Sequence, residues 1–385
     1  MTTATPSPSG SPTLSGFNSR KFRFWSFISM FLLVFVHGYN LQVRYMQPWT
    51  IPGEAVTFTS FTEYFLANGI FRFRIPMLFI ISGFLYAMHD YKPYGQRTRK
   101  RLRTLLIPYL TWSALGFAFT WLLESFLYTR GIVSASNIVR IDESRALLHD
   151  YRWYELLVRW ILIPVPYQLW FIRVLLIYNI AYPAIRWCVT RKIPGWIFFG
   201  VAFLMWLGTM GFGLFEGEGL LFFSLGVWMQ KREFDIDQPK RTLKPLGWGI
   251  AFVTLAAVKT LLAFIGQPVL GKAVIPILII LHKAVVLSGL IFAWYGCNGL
   301  VTWCMERKWF VWLAAFSFMI YAIHAPLVAY ATEAVFPLVS HLPFYRMGTY
   351  LLLPLTIIGF AIGTGALLRK VWPGLYGLLT GGRGF

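Results

Sequence analysis

An all-α polytopic membrane bundle of about ten spanning helices, with both termini cytoplasmic, is the architecture this sequence predicts. Three observations carry it. Of the 385 residues, 57% are hydrophobic and only 13% charged, with 17 Trp and 35 Phe, more apolar surface than one water-soluble core conceals. Stretches of about 20 apolar residues, the length that crosses a ~30 Å hydrocarbon core, recur near 22–40, 68–89, 104–126, 168–185, 194–214, 219–230, 246–266, 273–297, 309–331 and 347–368. With the N-terminus inside, 22 of the 35 Lys and Arg fall in inner loops and tails and 8 outside, the remaining 5 lying in or at the ends of spans, which is the bias that fixes orientation.

Residues 1–19 open on MTTATPSPSGSPTLSG, a polar, uncharged run without the basic and short apolar regions of a cleavable signal. It is expected to be a disordered cytoplasmic tail, with the membrane domain over 20–370 and a second tail over 371–385. The first span is the run Phe24–Val36 (FWSFISMFLLVFV), closed by His37. Before the third span comes the inner loop Asp90–Arg103 (DYKPYGQRTRKRLR), in which Arg97, Lys100 and Arg103 recur every third residue and predict one basic helical face. That loop is either a positive-inside anchor or a docking surface for a cytosolic polyanion such as a nucleotide-bearing acyl carrier. Segment 127–167 falls outside. Within it Glu143–Ile161 places Leu147, Tyr151, Tyr154, Val158 and Ile161 at helical spacing, which predicts a helix lying on the outer membrane surface. The sixth span, Gly219–Gln230, is short and is counted on its hydrophobicity and on the parity of the topology.

Several chemistries are disfavoured. Cys188, Cys297 and Cys304 map to the inner side, are odd in number and form no CxxC pair, so reduced thiols with neither disulfide nor metal role are expected. No Gly-rich phosphate loop, GxSxG elbow or HExxH is present, and no metal is expected. The net charge of +20 follows from membrane topology and calls for no nucleic acid partner.

Depth along the spans points to a site. From Phe22 to His37 is roughly 22 Å of helix, and Trp309 to His324 is the same distance in a span of the same direction, so two histidines share one outer depth. Arg72 and Arg74 open the second span and Arg173 the fourth from that side; each is read either as facing a chamber or as snorkelling to headgroups. Lys259 and Lys283 lie deeper. Charges at that depth cost several kcal/mol unless they face water or a partner, which implies an internal polar chamber. His282 is read as a hydrogen-bonded bundle histidine.

The stretches Arg72–Leu85 (RFRIPMLFIISGFL), Leu105–Trp112 (LLIPYLTW), Leu169–Arg173 (LWFIR) and Ser317–Pro326 (SFMIYAIHAP), in that order after a histidine-ended first span, resemble the successive motifs of membrane acyltransferase family 3, ten-span O-acyltransferases of glycans and related molecules. The resemblance runs from about 20 to 370. It implies transfer of an acyl group, commonly acetyl from acetyl-CoA, to a sugar hydroxyl, with the first-span histidine essential. That role maps onto His37 and the later histidine onto His324. Ser26 stands where the family usually has an Arg eleven residues before its histidine, and Arg23 lies about one turn earlier.

On this reading His37 is the general base, Arg72 or Arg74 steadies the thioester oxyanion, His324 completes or orients the site, and Glu333 is a candidate to fix an imidazole tautomer. Arg23, Ser26, Arg97, Lys100, Arg101 and Arg103 are assigned to the acyl-CoA. Ser82, Trp170 and Tyr321 join Arg173, Lys259 and Lys283 in lining the chamber. Expected partners are membrane lipid and a glycan or lipid-linked sugar acceptor, and the expected location is the plasma (inner) membrane. Direct transfer and an acylated His37 use the same residues. The rivals are a secondary transporter or flippase of a sugar-containing substrate, with the buried charges as its pathway, and a non-catalytic scaffold on the same fold.

Overall fold

The computed structural model describes residues 14–39, 50–51, 53–141, 145–212, 215–239 and 241–384. Helix α1 (Gly16–Gly38) starts at Ser15, whose hydroxyl oxygen accepts from the Asn18 amide at 3.2 Å. Helix α2 (Phe58–Tyr64) continues through a π-turn (Phe65–Gly69) and a 3₁₀ turn (Ile70–Phe73) into α3 (Arg74–Met88). Helix α4 (Tyr94–Arg101) likewise passes through a π-turn (Leu102–Leu106) into α5 (Ile107–Glu124). Between α5 and the next long helices lie α6 (Leu127–Ser136) and α7 (Trp153–Ile161). Helices α8 (Trp170–Ile180) and α9 (Tyr182–Thr190) are bent by 65° against each other, with Pro183 in the first turn of α9. Helix α10 (Lys192–Leu207) is followed by a two-residue antiparallel pair, β1 (Gly211–Phe212) with β2 (Phe215–Glu216), which turns the chain into α11 (Gly217–Lys231).

Helices α12 (Pro245–Leu270) and α13 (Val274–Ile291) form an antiparallel hairpin: Phe252 meets Phe292 at 6.3 Å, Lys259 meets His282, and a Cβ on Gly266 would touch Val274. Gly271, at φ +52, makes the turn. Leu246, Ile250, Val253, Leu261 and Ile265 stand exposed at steps of one or two helical turns on α12, the pattern of a lipid-facing stripe, while Lys259 is buried. The chain ends in α14 (Asn298–Met305), α15 (Lys308–Ala314), α16 (Ser317–Val339), α17 (Tyr345–Val371) and α18 (Pro373–Thr380).

Six described helical segments are long and apolar enough to cross a membrane, or seven if the bent α8–α9 pair is one span, and one of the six, Pro245–Gly296, contains the α12–α13 hairpin. Helical elements occur at each of the ten expected positions, but α10 and α11 have only 16 and 15 residues, roughly 24 Å and 22 Å of helix. The ninth expected span begins instead as the separate short helix α15.

Two further expectations are corrected. The region 371–385, expected as a tail, folds in its first part as α18, where Tyr376 is fully buried and Trp112 Nε1 donates to the Leu379 carbonyl at 2.9 Å. The surface helix begins at Trp153, ten residues later than expected; Glu143 and Ser144 lie outside the described residues. Residues Leu148–Asp150 form only a 3₁₀ turn, in which the buried Glu124 carboxylate of α5 accepts from the Leu148 and His149 amides at 2.8 and 3.1 Å.

The tightest crossing is α3 on α11. A Cβ on Gly83 would lie 2.0 Å from the Phe223 carbonyl oxygen, and one on Gly226 would lie 2.1 Å from that of Ile80. Two glycines thus let the backbones touch, the small-residue solution to helix packing in lipid.

Candidate active site

Helices α1 and α16 bring the two sequence-distant histidines together. The His37 and His324 rings stack with centroids 5.4 Å apart and planes at 29°, and the Tyr167 ring meets His37 edge-on at 4.9 Å. The geometry around His324 is set by a break in α16: Ala325 has φ −122 and ψ 137, and the Ala325–Pro326 bond is cis. Pro326 has no N–H, so the Ala322 carbonyl loses the donor that a regular helix supplies. Gln168 replaces it. Its Nε2 lies 3.1 Å from the Ala322 oxygen, 3.0 Å from Ala325 and 3.3 Å from Tyr321, while its own carbonyl accepts from the Tyr321 hydroxyl at 2.7 Å.

His324 is fully buried, and its Nδ1 lies 2.9 Å from the Tyr321 carbonyl and 3.1 Å from that of Ile320. Carbonyls only accept, so Nδ1 carries the hydrogen and Nε2 keeps a lone pair. That Nε2 has no hydrogen-bond partner among the described residues. The main chain therefore sets this tautomer, the role expected for Glu333. Glu333 itself is half-buried on the far side of the break, nine residues on. His37 is half-buried as a residue, whereas His324 is fully buried.

Arg72 and Arg74 lie within electrostatic reach of His37. Arg72 donates to the Asn68 side-chain oxygen, and Arg74, 2% exposed, donates to the Phe71 carbonyl at 2.7 Å. The chain that offers these acceptors is the π- and 3₁₀-turn stretch, whose irregular backbone frees carbonyls for side-chain donors. Asn68 also accepts at its main-chain oxygen from Lys259, which lies 3.0 Å from His282 Nδ1. Arg72, Lys259 and His282 are thus joined through one asparagine. Lys283 sits over the Trp206 ring at 4.9 Å.

Glu216 and Glu218 were missed by sequence reasoning. Glu216 caps α11, accepting from the Glu218 and Gly219 amides at 3.1 and 2.8 Å. Glu218 accepts from Trp206 Nε1 at 3.3 Å and acts electrostatically on Arg72, Arg74 and Lys283. A signal was available: two carboxylates stand just before the short sixth span, and cations in an apolar bundle call for anions nearby.

On the other side of the histidine pair lies a cavity of about 390 Å³ whose lining includes Arg23, Ser26, Ser82, Arg101, Tyr321 and Arg383. Five of these six are site residues expected from the sequence, drawn from four distant stretches. Arg23 Nη2 donates to the Val311 carbonyl at 2.8 Å and Ser26 to the Phe22 carbonyl at 2.8 Å. Tyr321, one turn before His324 and with its ring 6.3 Å away, links the cavity to the histidines.

The expected basic face of Arg97, Lys100 and Arg103 is not what the fold presents. Arg97 and Arg101, four residues apart on α4, share the face over the Tyr86 ring, whereas Lys100 is exposed and so is Arg103 in the π-turn that follows. Arg97 bonds Asp90 at 2.7 Å and lies over the Tyr86 and Tyr182 rings. Arg173 donates to the Leu162 carbonyl and ties α8 to the segment before it, and Trp170 packs on Phe79 at 6.3 Å. Neither lines the cavity.

The sequence relationships agree with this arrangement. The model of the acyltransferase domain family (Acyl_transf_3) matches residues 22–368. The chain is 23% identical over 362 residues to the succinoglycan biosynthesis protein ExoH of Rhizobium meliloti (strain 1021), a match covering 91% of this chain and 89% of that protein. No solved structure matches it. Because the family model matches residues 22–368, most of the chain including both histidines, this chain belongs to the acyltransferase 3 family and is a multi-pass membrane acyltransferase.

Proposed function

We propose that the protein moves an acyl group, acetyl in the first instance, from cytosolic acyl-CoA to a hydroxyl of a glycan or lipid-linked sugar near the outer face of the plasma (inner) membrane, through ten crossings with both termini cytoplasmic. The observation that carries this reading is the junction at Tyr321: a cavity with three guanidinium groups at its wall ends one helical turn from a stacked histidine pair. A thioester entering by that cavity meets an acceptor hydroxyl at the imidazoles. The name of the Rhizobium relative, a succinoglycan biosynthesis protein, supports a glycan acceptor.

His37, the less buried of the two histidines, takes the hydroxyl proton as the oxygen attacks the thioester carbonyl. The carbonyl π electrons move onto oxygen, and Arg72 or Arg74 stabilises the resulting negative charge. Collapse of the tetrahedral intermediate re-forms the carbonyl and breaks the carbon–sulfur bond. His37 returns the proton to the departing thiolate, giving free CoA and the ester. His324, locked by the main chain as the Nδ1–H tautomer, holds its Nε2 toward this chemistry and orients the pair.

The test is transfer of label from radiolabelled acetyl-CoA in membranes containing wild type or His37→Ala at matched levels, with glycan and lipid fractions counted separately. A fall of about 10²-fold or more in the mutant is expected for loss of a general base. Equal labelling by both proteins removes His37 from the mechanism, and a wild type that labels no fraction contradicts the donor.

A further inference from the structure

Arg383 enters the site from a part of the chain that the acyltransferase reading leaves without a role. After α18 the chain turns through Gly381 and Gly382, at φ +62 and +77, and a Cβ on Gly381 would lie 2.4 Å from the Thr104 carbonyl oxygen. The turn lays Gly384 against α15 and α16, where a Cβ would lie 2.2 Å from the Ala315 oxygen, and Arg369 donates to the Gly384 carbonyl at 2.9 Å. This packing delivers the Arg383 side chain to the cavity, where its Nη1 donates to the carbonyls of Thr104 and Thr380, at 3.0 and 2.9 Å, and its guanidinium sits 4.9 Å from the Phe318 ring centre.

The electrostatics there are one-sided. Arg23, Arg101 and Arg383 all line the cavity, and among the described residues its lining includes no Asp or Glu. Burial, and then the neighbouring Arg101 charge, pull the Arg383 guanidinium down to about 10. Arg101 and Arg383 are half-buried and Arg23 is exposed, and like charges gathered at one cavity without a carboxylate favour an anion that offsets them. Guanidinium forks match phosphate oxygens two at a time, which a lone ammonium does not.

We propose that Arg383 completes, with Arg23 and Arg101, a three-guanidinium cradle for the diphosphate of a nucleotide-bearing acyl donor, so that the turn after α18 is part of the donor site. This deepens the acyl-CoA reading and rests on it.

The experiment uses the full chain purified in detergent, titrated calorimetrically with acetyl-CoA and with acetyl-pantetheine, the same thioester without the nucleotide. Wild type is expected to prefer acetyl-CoA, with a preference that weakens as salt rises. Arg383→Gln, which keeps an amide donor for the two carbonyls, is expected to lower acetyl-CoA affinity about tenfold or more and to leave acetyl-pantetheine affinity unchanged. Arg383→Lys, which keeps the charge, should retain part of the preference. Lys370→Ala, an exposed cation of the same region, should change neither affinity. Unchanged acetyl-CoA binding by Arg383→Gln overturns the role of Arg383 and leaves the acyltransferase reading standing. Equal loss of both ligands assigns Arg383 a structural role and overturns the proposal. A wild type that binds the two alike, or binds neither, overturns the nucleotide-bearing donor and the cradle together.

Discussion

Replacing Gln168 by Leu tests whether a single side-chain amide holds His324 in place. Leu has nearly the same volume and keeps the main-chain carbonyl that accepts from Tyr321, so the change removes the donor toward Tyr321, Ala322 and Ala325 and little else. One NH₂ group has two hydrogens, so at most two of the three carbonyls are satisfied at once. The Tyr321 oxygen retains His324 Nδ1 at 2.9 Å, whereas the Ala322 oxygen faces Pro326 and loses its compensating donor. Leaving one to two buried carbonyls unpaired costs about 1–3 kcal/mol each, which sets the expected destabilisation at about 1–6 kcal/mol. The segment that relaxes carries His324, and displacement of a reacting group by an ångström costs about 10²-fold in rate. The assay pairs a thermal scan of the detergent-purified protein with acetyl transfer in membranes at matched protein. Expected are a lower unfolding temperature and transfer reduced by about two orders of magnitude. A variant with the wild-type unfolding temperature and wild-type transfer would refute the reasoning, because the freed carbonyls would then have found water or another donor.

Two more outcomes are expected. Gly226→Ala places a methyl group 2.1 Å from the Ile80 carbonyl oxygen, so α3 and α11 must separate, at about 1–3 kcal/mol for overpacking; the unfolding temperature should fall, while the same substitution at Gly247, with nothing within 4 Å of its Cβ, should be silent. Asp90 joins three cations, Arg97 at 2.7 Å, Lys231 at 2.5 Å and Arg186 at 3.1 Å. Burial alone would raise its carboxyl, but hydrogen bonds from Lys231 and Tyr182 and the charges of Lys231 and Arg186 outweigh that and hold it below the usual range. The stabilisation is therefore complete above about pH 4, the unfolded value, and is lost as pH falls through the lower folded value. Asp90→Asn should cost about 2–3 kcal/mol at neutral pH, discounted because Arg186 is half exposed, and should flatten the acid limb of a stability–pH profile. An acid limb identical to wild type would show that Asp90 carries none of it.

The solvent, the helical class and the candidate histidines could be read from the sequence because each depends on local properties. Hydropathy needs only a window of residues to mark a lipid-facing helix, and helical rise converts a residue count into depth, which placed His37 and His324 at one level before any contact was known. The cavity residues Ser82 and Tyr321 were likewise legible from the motif stretches that hold them, Arg23 and Ser26 from their spacing to His37, and Arg101 from the basic inner loop. What tertiary structure decided has a common physical origin, the need to satisfy backbone groups in a medium without water. A proline at 326 announces a break in a helix, but only packing shows that Gln168, 158 residues earlier, supplies the missing donor. Arg97 and Arg101 share the inward face of α4 over the Tyr86 ring, and the sequence pattern Arg97, Lys100 and Arg103 does not show which face of that helix packs against its neighbours. Gly83 and Gly226 read as two ordinary small residues until the crossing of α3 and α11 puts each against the other helix's carbonyl. Arg383 looked like one more positive charge in a tail, and became part of the site because two glycines at positive φ fold it back over the bundle.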